Sequence, residues 1–229
     1  MQIVVGTDGI SIEYGRDSQK IKRDKGKSLM VIPSSYTIID IETTGLDPSY
    51  DEIIEIGTLK IKEGIVVNRF QSLIKPDCNY VDEFITQLTG ITNEMLETAP
   101  RIKEVLPKFI EFIESDILVG HNVNFDINFL YDNLEENLGY KLENNFVDLM
   151  RLSRKVYPEL TNHKLITVAQ NLGVNIENNH RALGDCTITY ECFSRISKYI
   201  SENHIDLKSL YKHNHTDLRS LTADGAKIS

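Results

Sequence analysis

From Tyr36 onward the apolar positions follow two periods. Tyr36–Ile41 carries isoleucines on both faces of an extended run, as a central strand covered on both sides would. Ile53–Ile61 and Ile65–Ile74 read as two further strands, and Gly64 between them signals a hairpin. The period turns helical over Lys103–Ile113. Ile117-Leu118-Val119 is a short buried strand. Phe125–Leu138 is a helix ended by Gly139, Phe146-Val147-Asp148 another strand, and Lys164–Leu172 a short helix closed by Gly173. A long helix over Arg181–Ile200 follows, with an apolar stripe of Ala182, Cys186, Thr189, Phe193, Ile196 and Ile200. Strands first, then helices alternating with short strands, predict an α/β fold: a mixed sheet with helices on both faces.

The flanks read differently. In residues 1–35, Gln2–Gly6 and Ile10–Tyr14 surround Thr7-Asp8-Gly9, the pattern of a β-hairpin. A basic run follows, with Lys20, Lys22, Arg23, Lys25 and Lys27 interrupted by Asp24. It reads as a solvated linker, or as an arm that contacts phosphates. Residues 36–203 form the main domain. Residues 204–229 are a polar tail with a short helix expected around Leu207–Tyr211, and its His213 and His215 read as ordinary tail residues.

Composition narrows the setting. The chain has 229 residues, 41% of them hydrophobic and 26% charged, values ordinary for a globular domain with a small appendage. No run approaches the roughly 18 apolar residues of a membrane span. Met1–Gly6 lacks the basic flank and cleavage site of a secretory signal. Cys78, Cys186 and Cys192 show no zinc-ligand spacing and suit a reduced, cytoplasmic setting. A net charge of −9 disfavours a broad basic groove for nucleic acid. It leaves room for a small site in which acids hold cations and the cations meet phosphate.

The candidate chemistry lies in three segments. Asp40 and Glu42 are two apart on a strand, so both side chains leave one face at its C-terminal end. Adjacent carboxylates repel unless a cation lies between them, and a divalent ion with oxygen ligands fits. Asp126 falls on the apolar face of its helix, between Phe129 and Leu130, where an unpaired carboxylate costs several kcal/mol. The plainer reading of Asp126 is an acid serving the helix dipole, with Asn122 or Asn124 as the cap. Asp185 sits one turn into the long helix, and His180 just before it can approach a reacting water without being a ligand. Taken alone, such a histidine is more often a polar cap.

The segments Asp40-Ile41-Glu42-Thr43-Thr44-Gly45-Leu46, His121-Asn122-Val123-Asn124-Phe125-Asp126 and His180-Arg181-Ala182-Leu183-Gly184-Asp185 occur in this order. With Leu88-Thr89-Gly90-Ile91-Thr92, Ala99-Pro100 and His163-Lys164-Leu165, the pattern over about residues 36–200 resembles the DEDDh 3′→5′ exonucleases of the ribonuclease-H-like superfamily. The pattern is similar to that of proofreading epsilon subunits and of the exonuclease domain of Gram-positive replicative polymerases.

The resemblance implies a five-stranded mixed sheet and two Mg²⁺ or Mn²⁺ ions. Asp40, Glu42 and Asp185 would hold one ion, Asp40 would bridge to the second, and Asp126 would help to hold that second ion. His180 would be the general base. Thr43, Thr44, Gly45 and Leu46 would meet the terminal nucleotide, with Leu46 against its base, and Asn122 and Phe125 would join the same pocket. The implied reaction is hydrolysis of the terminal phosphodiester of single-stranded or 3′-frayed DNA, releasing nucleoside 5′-monophosphates in proofreading or repair. A DNA polymerase is the candidate protein partner, although no polymerase-binding segment is legible, and no membrane is expected. Two alternatives stand beside this: an exoribonuclease acting on short RNA or RNA ends, and an inactive nucleic-acid-binding or polymerase-docking module.

Overall fold

The structure, a computed structural model, describes residues 2–6, 9–13, 22–77, 80–176 and 180–207. Thr7 and Asp8 of the expected turn, Lys20, Cys78 and the tail beyond Leu207, with most of its expected helix, His213 and His215, lie outside the described residues.

Strands β1 (Gln2–Gly6) and β2 (Gly9–Glu13) pair antiparallel from Gln2↔Glu13 to Gly6↔Gly9, forming the expected hairpin ribbon. The main sheet begins with β3 (Ser28–Leu29), β4 (Tyr36–Thr43), β5 (Ile53–Lys62) and β6 (Ile65–Leu73). Helices α1 (Glu83–Thr89), α2 (Asn93–Glu97) and α3 (Ile102–Ile113) lead into β7 (Leu118–Gly120) and α4 (Asn124–Leu138). Then come β8 (Phe146–Asp148), α5 (Leu149–Val156), α6 (Leu165–Leu172) and α7 (Ala182–Glu202).

The sheet has six strands, in the order β3-β8-β7-β4-β5-β6. β4, β5 and β6 form an antiparallel meander, and β7, β8 and β3 add in parallel on the other side. The sixth strand, β3, lies in the stretch read from sequence as linker. Two residues carry no period, and β3 exists because β8 offers an open edge at Phe146 and Val147.

Alternation along the strands explains the two layers. Tyr36 and Ile38 of β4 face α5, α6 and α7, in a core with Leu59, Val119, Val147, Cys186, Phe193 and Ile196. Ile39 and Ile41 face α3 and α4, in a second core with Ile56, Leu118, Phe109, Phe129 and Leu130. All six stripe positions of α7 are buried. Each large apolar side chain so buried contributes about 1.5–3 kcal/mol, which holds α7 across β4 and β5 with the acid Asp185 in its first turn.

The basic run has a structural use. Arg23 forks onto Asp132 of α4, with Nε 2.6 Å from Oδ1. Lys25 Nζ donates to the side-chain oxygens of Asn124 and Asn128 and lies over the Phe146 ring. Arg23 thus ties the segment before β3 to α4, and Lys25 links α4 to Phe146 of β8, so both side chains have partners within the fold. Lys22 and Lys27 are exposed.

Candidate active site

β4 and α7 together make the site. Asp40 and Glu42 share the face of β4 that lies under α7, and Asp185 descends onto it from the first turn of that helix. One carboxylate oxygen from each of the three lies within 4.8 Å of the others. α7 can approach this closely because β5 has no side chain at Gly57: a Cβ there would sit 2.5 Å from the Ala182 carbonyl carbon and the Leu183 nitrogen. Cys186 Sγ donates to the Gly57 carbonyl at 3.2 Å, closing the same contact.

Asp126 arrives from the other layer. β7 ends at Gly120, so β4 beyond Ile39 has no neighbour on that side, and the Ile41 N–H needs an acceptor. Asp126 Oδ1 accepts it at 3.1 Å. This buried carboxylate, 4% exposed, stands beside the trio without joining it. The side-chain cap of α4 in the plainer reading is absent: the cap residue is Val123, which makes no side-chain cap hydrogen bond, Asn124 is engaged by Lys25, and Asn122 has a left-handed backbone, φ 58°.

His180 takes a left-handed conformation, φ 62°, and its backbone N–H donates to Asp185 Oδ1 at 3.3 Å. The histidine and the helix acid are thereby joined by a short turn. His180 is half-buried. Burial pushes His121, which opens the second motif, down to about 4.

The loop after β4 is knitted to itself. Thr43 Oγ1 donates to the Gly45 carbonyl, Thr44 exchanges hydrogen bonds with Glu52, and Asp47 N–H donates to Asp51 Oδ2. The Asp51 carboxylate fills the space over Gly45, where a Cβ would lie 2.4 Å from it. Leu46, 84% exposed, projects from this rigid loop. Phe125 packs its ring on Phe129 at 4.9 Å and is partly buried, and Asn122 is exposed.

The acids raise one another's proton affinity. Burial pushes Asp40 well above the usual carboxylate range, and the charges of Asp126, Asp185, Glu42 and Glu55 add to it. Glu42 is pushed up to about 8 by burial, Asp185 and Glu55, against the pull of Arg181. Burial raises Asp126 against the Ile41 hydrogen bond, and raises Asp185 against His180. Such a group must bind either protons or a cation. Three convergent carboxylates of oxygen donors fit a hard divalent ion.

The exonuclease family model RNase_T matches residues 37–193, a span that begins on β4 and ends within α7. This chain belongs to that exonuclease family. Its chemistry is the hydrolysis of phosphodiesters. The PolC-type DNA polymerase III of Caldanaerobacter subterraneus subsp. tengcongensis is 38% identical over 210 residues, covering 92% of this chain and 14% of the relative. The DNA polymerase III epsilon subunit of Aquifex aeolicus is 37% identical over 187 residues, covering 80% of this chain and 92% of the relative. The exonuclease thus spans about a seventh of the PolC-type relative and nearly the whole epsilon relative. In fold it is similar to exonuclease X solved with 5′-overhanging duplex DNA, with TM-score 0.60, 24% identity, and coverage of 76% of this chain and 96% of that one. It is also similar to E. coli exonuclease I solved with a dT13 oligonucleotide, with TM-score 0.65, 18% identity, and coverage of 75% and 43%.

Two buried acids of the exonuclease escape sequence reasoning. Asp148 caps α5 by accepting the Met150 N–H at 2.9 Å, and the same Oδ1 accepts the Asn122 N–H at 3.0 Å, pinning the turn that leads into Asp126. Glu55 on β5 is the register partner of Glu42 and has 0% exposure. The available signal was an acid inside the apolar run Ile53-Ile54-Glu55-Ile56. Among the described residues no helix is long and apolar enough to cross a membrane.

Proposed function

We propose that this exonuclease removes nucleotides one at a time from the 3′ end of single-stranded or frayed DNA, releasing nucleoside 5′-monophosphates. The observation that carries this reading is the convergence of Asp40, Glu42 and Asp185 within 4.8 Å, with His180 tied to Asp185 by its backbone. Asp40, Glu42 and Asp185 would hold one Mg²⁺ or Mn²⁺, and Asp40 with Asp126 a second. When bound, the two cations supply an activated water and neutralise charge at the phosphate. His180 accepts the proton of the attacking water as general base. The water oxygen bonds to phosphorus, the bond to the 3′-oxygen breaks, and that oxygen leaves. The backbone of Thr43, Thr44 and Gly45 lines the terminal nucleotide, Leu46 packs on its base, and Asn122 and Phe125 complete the pocket. Frayed ends react faster because the last nucleotide must leave the stack, at a cost of a few kcal/mol that mispairing lowers.

Residues 36–203 carry this chemistry in our reading, with the N-terminal hairpin and the polar tail outside it. DNA is favoured as substrate because the relatives are named as DNA polymerase III polypeptides. Proofreading beside a polymerase is the role that fits. Chromatography of the products from matched DNA and RNA oligonucleotides tests this. The reading expects 5′-mononucleotides formed faster from DNA. Faster release from RNA would transfer the substrate to RNA ends, and 3′-phosphorylated products would contradict the chemistry.

A further inference from the structure

Helix α7 begins without a cap of its own: Arg181, its N-cap residue, makes no side-chain cap hydrogen bond. The first amide of the helix is satisfied from another element. Glu55 Oε2, on β5, accepts the Ala182 N–H at 3.0 Å. The same carboxylate takes Arg181 in a two-pronged contact, Nε to Oε2 at 3.1 Å and Nη2 to Oε1 at 2.7 Å. Gln71 of β6 donates to Oε1 at 2.9 Å. Four donors thus occupy the roughly four lone-pair sites of one carboxylate, which leaves Glu55 little capacity as a metal ligand. Charge-assisted, two-pronged arginine contacts are directional as well as strong.

The clamp closes on the residues that matter. Arg181 lies between His180 and Ala182, and the Arg181 carbonyl accepts the Asp185 N–H at 2.9 Å. Gly57, two residues along β5 from Glu55, lets the backbone of Ala182 and Leu183 rest on the strand. His180, Arg181, Ala182 and Asp185 are therefore held by β5, the strand directly beside the one that carries Asp40 and Glu42.

We propose that Glu55 is a positioning residue of this exonuclease: by capping α7 and gripping Arg181 it sets His180 and Asp185 against Asp40 and Glu42. The consequence for rate rests on the exonuclease reading above; the effect on the helix does not.

The test compares full-length wild type with Glu55→Gln, Arg181→Met, Arg181→Lys and the Glu55→Gln/Arg181→Met pair. Single-turnover and steady-state cleavage of a DNA oligonucleotide are measured with Mn²⁺, together with amide exchange along α7. Glu55→Gln points an amide N–H₂ at donors, and Arg181→Met removes the prongs. Each lowers kcat per folded molecule at least tenfold with KM within about twofold, and speeds exchange at Ala182–Asp185 relative to Phe193–Ile200. Arg181→Lys recovers part of kcat, and the double variant is no slower than the worse single one. A merely structural role would lower the melting temperature while leaving kcat per folded molecule unchanged, and that result overturns the proposal. If the wild type cuts no nucleic acid, the exonuclease reading fails on its own. Exchange at Ala182–Asp185 then decides the clamp, and rates equal to wild type in both single variants refute it.

Discussion

Asp126 Oδ1 accepts the backbone N–H of Ile41 at 3.1 Å, so one carboxylate completes the β4 edge and faces the acidic cluster at once. The two duties are separable. Asp126→Asn keeps an acceptor for Ile41 and removes a buried charge, so it should melt at or above the wild-type temperature without metal. Asp126→Ala leaves the N–H without a partner, at a cost of about 1–3 kcal/mol, and should melt lower. Both should lose at least a hundredfold in activity. Thermal melts in EDTA, paired with cleavage rates, check this; equal melting of the two variants would contradict the assigned hydrogen bond.

Proton and cation compete for the same acids. Glu42 rises from an ordinary 4.5 to about 8 in the folded chain, and Asp40, Asp126 and Asp185 shift in the same direction. A carboxylate whose folded value is raised binds more protons folded than unfolded, so stability falls as pH rises between the two values. Without metal, the melting temperature should decline as pH rises from about 4.5 to about 8. Saturating Mg²⁺ or Mn²⁺ should flatten the decline. Melts across this range in EDTA and in each metal measure it, and stability that climbs with pH in EDTA would reverse the sign argued here.

His180 holds a positive φ of 62°, a conformation alanine tolerates poorly. His180→Asn keeps the turn and deletes the imidazole. Single-turnover cleavage should fall at least a hundredfold, with Mn²⁺ affinity by calorimetry and oligonucleotide binding near wild type. Activity within a few-fold of wild type would remove His180 from proton transfer.

Arg23 is paired with Asp132, and Lys25 with Asn124 and Asn128. Arg23→Ala should therefore lower the melting temperature by a few degrees and leave the salt dependence of DNA binding unchanged. A flattened salt slope with unaltered stability would restore the phosphate-contacting arm.

How far the sequence was legible follows from the range of each signal. The α7 stripe repeats over five turns and is read directly, as are β4, β5 and β6 with the Gly64 hairpin. Asp40, Glu42, Asp126, His180 and Asp185 stand in short motifs, and the order of those motifs marks them as candidates; the fold brings carboxylates of Asp40, Glu42 and Asp185 together. α1 and α2 are too short to show a period. They are held by local caps at Asp82 and Thr92 and by the left-handed Gly90, φ 71°. α5 hides behind β8 because Asp148 ends one element and caps the next. Glu55 is the clearest case of what a linear pattern cannot carry. Its partner Arg181 lies 126 residues away, and only the fold brings the two together.

The most direct test of the central claim is a gel time course on 5′-labelled and 3′-labelled single-stranded DNA, with wild type and Asp185→Asn, in Mg²⁺, Mn²⁺ and EDTA. The account predicts a ladder shortening from the 3′ end for the 5′ label and mononucleotide from the first time point for the 3′ label. Both should vanish in EDTA and in Asp185→Asn. A folded wild-type chain that leaves both labels uncut in either metal, or that cuts equally well with Asp185 replaced, would contradict it.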